Sequence, residues 1–277
     1  MVFDRITKQV LALDGNEYNY WAAGDSTKPP LVILYGYTGV HDDFLELVRA
    51  LKHTHFVVIP EYPGWNNIPR FPEPLSIHNY ARYFRKLCEG LELKSVTIIG
   101  HCVGSVVALE MAFLYPKSID QLLLISIPYL EGTWAQKMYG LLAKGAKHSP
   151  GFIRSFFFLW RSRPLSVPLD LFTIRTKNIR KKMQRIRDHI VKQPLQQEDA
   201  VEEEWLSFIE FDFHKVSTLK TPVHLIHGAK DLLLSSAQAA KFQNLFSSAT
   251  LDVIAEAGHV PPVESPRELL KIIEKYL

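Results

Sequence analysis

The stretch Ile98-Ile99-Gly100-His101-Cys102-Val103-Gly104-Ser105 constrains this chain more than any other. Ser95-Val96-Thr97-Ile98-Ile99 is short, apolar and β-branched, the pattern of a buried strand. Val106-Val107-Ala108-Leu109-Glu110-Met111-Ala112-Phe113-Leu114 reads as a helix stopped near Pro116. A strand that turns directly into a helix puts its central residue in strained backbone geometry. The residues two positions to either side must then be small, and both are glycine, Gly100 and Gly104. The side chain of Cys102 stands above the sheet edge, at a helix N-terminus where free N–H groups and the dipole favour a thiolate. The plain alternative is a small buried cysteine of the core.

The rest of the chain sets this turn in an alternation of strands and helices. Lys8–Leu13 and Tyr18–Gly24, joined by Asp14-Gly15, read as a hairpin. Leu31–Leu34 and Phe56–Pro60 are continuous apolar runs of the kind that parallel sheets bury on both faces. Helices are expected over about 42–52 and 77–89. Gln121–Ile127 is the next strand, ended by Pro128. From about Tyr129 to Val216 the pattern is helical only, with breaks at Ser149-Pro150-Gly151, Pro164, Pro168 and Pro194. Strands then resume at Pro222–Gly228 and Thr250–Ile254, with helices over about 237–246 and 266–276. Alternating elements of this kind predict an α/β fold with a largely parallel sheet and helices on both faces.

Gly100-x-Cys102-x-Gly104 on a strand-to-helix turn resembles the nucleophile elbow of the α/β-hydrolase superfamily, with cysteine where serine is usual. The resemblance covers nearly the whole chain outside 129–216. It implies an eight-stranded mostly parallel sheet, a core of residues 1–128 and 217–277, and a helical cap at 129–216. It also implies the chain order nucleophile, acid, histidine. Asp231, in His227-Gly228-Ala229-Lys230-Asp231 past the seventh strand, is the acid; Glu131 is the reserve candidate past the sixth. His259, in Gly258-His259 past the last strand, is the base. His101, His224 and His227 also lie near strand ends, outside the family's place for the base. All three members of the set Cys102, His259 and Asp231 fall at carboxyl ends of expected strands, where open α/β sheets bind ligands.

An oxyanion needs two N–H donors. The resemblance gives them as the backbones of Val103 and of Tyr37, in Tyr35-Gly36-Tyr37-Thr38-Gly39. The family usually carries His-Gly where this chain has Tyr35-Gly36, which leaves the donor in place and changes what holds the loop. Tyr37, Trp65 and Trp134 are expected to line the substrate site by loop position.

Cysteine at the elbow argues against the alkyl-ester chemistry of relatives with aspartate there, the haloalkane dehalogenases and epoxide hydrolases. It fits attack on an ester, lactone or thioester carbonyl through an acyl-thioester. A lyase or cofactor-free oxygenase on the same fold, a non-catalytic ligand-binding member, and a cysteine standing in for a natural serine are the competing readings. No metal-ligand spacing, phosphate loop or dinucleotide fingerprint is present, so no cofactor is expected.

A net charge of +3 is too small to imply nucleic acid. The start lacks the basic and apolar regions of a signal peptide, and no apolar run is long enough to span a bilayer. Two cysteines, Cys88 and Cys102, make no disulfide framework, and a reducing, cytoplasmic setting is expected. Phe152–Trp160 is expected to cover the site with an apolar wall rather than to dock on lipid. The basic run from Arg175 to Arg187 reads as one face of an amphipathic helix, with Glu202-Glu203-Glu204 as its facing charges. The substrate is expected to be a small, mostly apolar ester-like molecule.

Overall fold

The computed structural model describes residues 1–36, 39–148 and 198–277. Its centre is one eight-stranded sheet. The strands are β1 (Val2–Leu13), β2 (Asn16–Asp25), β3 (Pro30–Leu34), β4 (Phe56–Pro60), β5 (Val96–His101), β6 (Ile119–Ile125), β7 (Val223–Gly228) and β8 (Thr250–Ile254). Their order across the sheet is β1-β2-β4-β3-β5-β6-β7-β8. β1 pairs antiparallel with β2, and β2 with β4; every other pairing is parallel.

The apolar runs explain the middle of this sheet. Leu31 to Leu34, Val57 to Ile59, Ile98, Ile99 and Leu122 to Ile125 are all buried. Strands that read as continuous hydrophobic runs are covered by helices on both faces, which the βα crossovers supply. The helices of the first half are α1 (Leu45–Leu51), α2 (Ile77–Gly90) and α3 (Val103–Leu114). α3 is buried from Val103 to Ala112, and α2 packs on it. Ser76 caps α2, its hydroxyl accepting from the Asn79 N–H at 3.1 Å. The closing helices are α6 (Ser236–Gln243), α7 (Pro261–Glu264) and α8 (Pro266–Glu274), with α8 against α1.

Between β6 and β7 lies the helical insertion. Its described parts are α4 (Trp134–His148) and α5 (Glu198–Ile209), followed by a 3-10 turn over Phe213–Thr218. The breaks at 149–151, Pro164, Pro168 and Pro194, the apolar segment 152–160 and the basic run 175–187 lie outside the described residues.

The expected elements are present with shifted ends. β1 begins at Val2 rather than Lys8, because its pairing slips between Phe3 and Thr7 and so hides the period-two pattern. The helix expected near 42 opens as a 3-10 turn, His41–Phe44, before α1. Among the described residues, no helix is long and apolar enough to cross a membrane.

Candidate active site

β5 ends at His101, and α3 begins at Val103, so Cys102 alone makes the turn. Its backbone sits at φ 50° and ψ −122°. That conformation is costly for a residue with a Cβ and persists only where its surroundings impose it. The Cys102 N–H donates to the Ile125 carbonyl at 2.9 Å, tying the turn to β6. Close packing explains the flanking glycines. A Cβ on Gly104 would lie 2.2 Å from the Leu34 carbonyl oxygen and one on Gly100 2.6 Å from the Ser105 Cα; in the loop after β3, one on Gly36 would lie 2.6 Å from the Cys102 Cβ. The loop after β3 therefore rests directly on the cysteine. Val103 opens α3, where the first N–H groups lack partners within the helix. Tyr37 lies outside the described residues; the Gly39 N–H donates to the Gly36 carbonyl at 2.9 Å.

His259, past β8, meets Asp231, past β7, with Nδ1 2.8 Å from Oδ2. The other Asp231 oxygen accepts from the backbone N–H groups of Leu233 at 2.8 Å and Leu234 at 3.1 Å. Both side chains are buried. Burial works against a charged imidazole. The Asp231 carboxylate and its hydrogen bond, with Cys102 acting in the same sense, outweigh it and hold His259 well above 6.5. Burial likewise opposes ionisation of Asp231, and the His259 charge and hydrogen bond overcome it, lowering that carboxyl. Glu131 is engaged elsewhere, by the Tyr129 hydroxyl at 2.6 Å and by His214 at 2.9 Å.

The remaining histidines separate by environment. His101 is buried under the cysteine, with Nε2 2.9 Å from the His259 carbonyl oxygen. Burial, then the nearby His259, pushes it down to about 4. The ring is therefore neutral and donates Nε2–H to that carbonyl. His227 is buried near Asp231, and His224 stacks on Tyr276 with centroids 3.7 Å apart. Cys88 is buried in α2 and its thiol is pushed up to about 12 by burial, whereas Cys102 is partly exposed. An alkylating reagent thus has one accessible thiol to find.

The change from His to Tyr35 is answered by a buried acid at the end of β4. Tyr35 OH donates to Glu61 at 2.7 Å and accepts from the Tyr62 N–H at 3.3 Å. Glu61 also takes the Trp21 indole N–H. These bonds hold the loop that carries Gly36. Nothing in the local sequence marks the pair, since its members stand 26 residues apart.

Trp65 and Trp134 part company. The Trp65 indole donates to the Glu204 carboxylate of α5 at 2.7 Å. Trp134, first in α4, is 65% exposed. Nor do the acidic residues of α5 simply face solvent. Glu203 pairs with Arg70 at 2.9 Å and accepts from the Leu75 N–H at 2.6 Å. Ile77 N–H donates to Ser207 at 2.9 Å. α5 is thus fastened to the segment after β4, across more than a hundred residues of sequence.

Glu204 itself is buried, and burial outweighs its hydrogen bonds from Trp65 and Tyr80, pushing it up from 4.5 to about 8. The stability linked to keeping this acid protonated is fully present below pH 4.5 and is lost as pH rises through about 8. Glu204→Gln keeps an acceptor for Trp65 without the titration. Its melting temperature is expected to match the native chain at pH 5 and to exceed it by on the order of 5 °C at pH 9. Equal slopes of melting temperature against pH for the two proteins would contradict this.

A family model described as alpha/beta hydrolase fold matches residues 29–266. Lipase 1 of Psychrobacter immobilis is 24% identical over 275 residues, covering 93% of this chain and 80% of its own. Among solved structures, the epoxide hydrolase CorEH superposes with a TM-score of 0.80 at 17% identity, covering 98% of both chains. The enol-lactonase from Burkholderia xenovorans LB400 gives 0.78 at 16%, covering 97% of this chain and 99% of that one. At such identities the structural likenesses establish the fold. Among the described residues, no group of three or more His, Cys, Asp or Glu is placed to hold a metal ion.

Proposed function

The chain belongs to the α/β-hydrolase fold family, a fold of esterase- and lipase-type enzymes, and from that premise we propose that it hydrolyses a carboxylic ester, lactone or thioester through Cys102, His259 and Asp231. The observation that carries the reading is the strained Cys102 backbone at the head of α3, close to a histidine that is itself held by a buried aspartate. A strained, partly exposed thiol beside a histidine held towards its charged form is arranged for nucleophilic attack, not for packing.

In this reading the Cys102 sulfur attacks the substrate carbonyl, forming a C–S bond, and His259 carries the thiol proton. The tetrahedral oxyanion lies against the backbone N–H groups of Val103 and Tyr37. His259 gives its proton to the departing alcohol or thiol oxygen or sulfur as that bond breaks. Water, deprotonated by His259, then attacks the acyl-thioester; the C–S bond breaks, and the acid leaves. Asp231 fixes the imidazole's orientation and supports its charge through the cycle. Residues 1–128 and 217–277 form the catalytic core, and 129–216 form the cap that selects the substrate, with Trp65 and Trp134 at its margin. A reducing, cytoplasmic setting keeps Cys102 a free thiol.

Support comes from the company the fold keeps: one relative is a lipase, and one structural neighbour is an enol-lactonase. The test is a p-nitrophenyl ester series from acetate to octanoate. Turnover that varies with chain length and is lost after iodoacetamide treatment is the expected result. Turnover indifferent to alkylation, or none along the series, would overturn the proposal.

A further inference from the structure

One buried hydroxyl near the cysteine has no hydrogen-bond partner among the described residues. Tyr62 follows β4 and is 3% exposed, yet its OH makes no hydrogen bond among the described residues. Its ring is fixed on three sides, by Tyr35 at 4.8 Å, Tyr80 at 5.0 Å and Phe84 at 4.8 Å between centroids. Tyr35 leads directly into Gly36, which lies against Cys102. On the other side, Tyr80 lies 3.4 Å from the Glu204 carboxyl oxygen that also accepts from Trp65. Tyr62 is thus linked by packing to both neighbourhoods, through Tyr35 to the loop on the cysteine and through Tyr80 to the buried acid of α5. Its titration agrees with that placement: burial, then the charges of Glu204 and of Cys102, raise it well above 10.

A buried hydroxyl left without a partner is costly, and native proteins keep such groups where something else completes them. Of the neighbouring backbone groups, the Tyr62 N–H donates to Tyr35 and the Pro63 carbonyl accepts from the Tyr80 hydroxyl at 2.9 Å. Glu204, at about 8, is protonated at neutral pH, so this corner carries hydrogen-bonding groups without a net charge. A neutral oxygen would complete the Tyr62 hydroxyl without bringing a charge into this buried corner.

We infer that the Tyr62 hydroxyl, backed by Glu204, donates to a second neutral oxygen of the substrate, a hydroxyl or carbonyl within a few bonds of the carbonyl that Cys102 attacks. The inference deepens the ester-hydrolase reading and rests on it. The preferred substrate is then an oxygenated ester, such as a hydroxyacyl or oxoacyl ester or a monoester of a polyol, and not a plain hydrocarbon ester. Sites built to hydrogen-bond a substrate oxygen discriminate strongly against analogues that lack it.

The test compares matched substrates in the native chain and in Tyr62→Phe, which keeps the ring and removes only the unpartnered OH. One pair varies the acyl side, 3-hydroxybutyrate against butyrate as p-nitrophenyl esters. The other varies the alcohol side, glyceryl against propyl butyrate. The native chain is expected to prefer the oxygenated member of at least one pair by about tenfold in kcat/KM, and Tyr62→Phe to lose that ratio. Equal kcat/KM within both pairs, or a preference that Tyr62→Phe leaves intact, would overturn the inference. Calorimetric binding to Cys102→Ala separates this result from failure of the hydrolase reading. There, 3-hydroxybutyramide is compared with butyramide, and 1-O-butylglycerol with butyl propyl ether, before and after Tyr62→Phe is added. Tighter binding of an oxygenated member that Tyr62→Phe abolishes supports the subsite even if no ester is turned over; equal binding within both pairs overturns it.

Discussion

Cys102→Ala is expected to reduce ester turnover at least about 10⁴-fold, to near the uncatalysed rate, while leaving the fold and its melting temperature little changed. The size follows from the role. Removing the nucleophile removes the covalent route altogether, and only the oxyanion donors and substrate binding remain. The fold tolerates the change because Cys102 acts through its sulfur, which is partly exposed, while its backbone bond to Ile125 survives. Cys102→Ser is expected to fall between the two. A serine hydroxyl must be deprotonated by a neutral imidazole, and His259 is held towards its charged form. Kinetics on the best p-nitrophenyl ester, with circular dichroism as the control for folding, check both. A serine variant faster than the native chain would mean that the site is built for a hydroxyl nucleophile.

Asp231→Asn is expected to lower kcat about 10³- to 10⁴-fold with little change in KM. An amide cannot stabilise the imidazolium, and it presents its own donors to a nitrogen that should donate. The sign of the pH effect follows. Asp231 is what raises the His259 pKa against burial, so its removal lowers that pKa. The native ring is held towards its charged form, whereas the variant's ring gives up its proton more readily. Iodoacetamide inactivation at pH 6 should therefore slow markedly in Asp231→Asn and approach the native rate less closely as pH falls. Cys88 contributes nothing to that signal, being buried with its thiol raised to about 12. Unchanged alkylation rates between pH 5 and 7 would show that Asp231 does not govern the charge on His259.

The elbow was legible in the sequence because its constraint is local. A β-branched strand, two glycines around one residue and an apolar helix all lie within twenty residues, and the close approach of Gly104 to Leu34 leaves no choice of residue. The Gly-x-x-Asp and Gly-His patterns past β7 and β8 were readable for the same reason, as short signals at strand ends, and the structure brings those two side chains to 2.8 Å. The ladder from β3 to β8 followed from continuous apolar runs. The start of β1 did not, since an edge strand with a pairing slip and the charges Asp4 and Arg5 lacks a clean period.

What stayed hidden is the second layer around the site. Tyr35 meets Glu61, and Trp65 meets Glu204 across 139 residues. Such pairs have no fixed spacing, and each residue taken alone reads as an ordinary surface acid or core aromatic. Glu202-Glu203-Glu204 read as the charges facing the basic run because composition cannot show which of three adjacent acids turns inward. On α5 it is Glu204, 3% exposed. Tyr62 was invisible for a related reason: its unpartnered hydroxyl is a property of what surrounds it, not of its own position in the chain.

The most direct measurement is mass spectrometry of the chain quenched in acid during turnover of a p-nitrophenyl ester, using Asp231→Asn to slow the cycle. The account predicts one added acyl group, carried by the peptide containing Cys102 and released by neutral hydroxylamine as a thioester would be. Steady turnover with no adduct at any time, or an acyl group on any other residue, would contradict it.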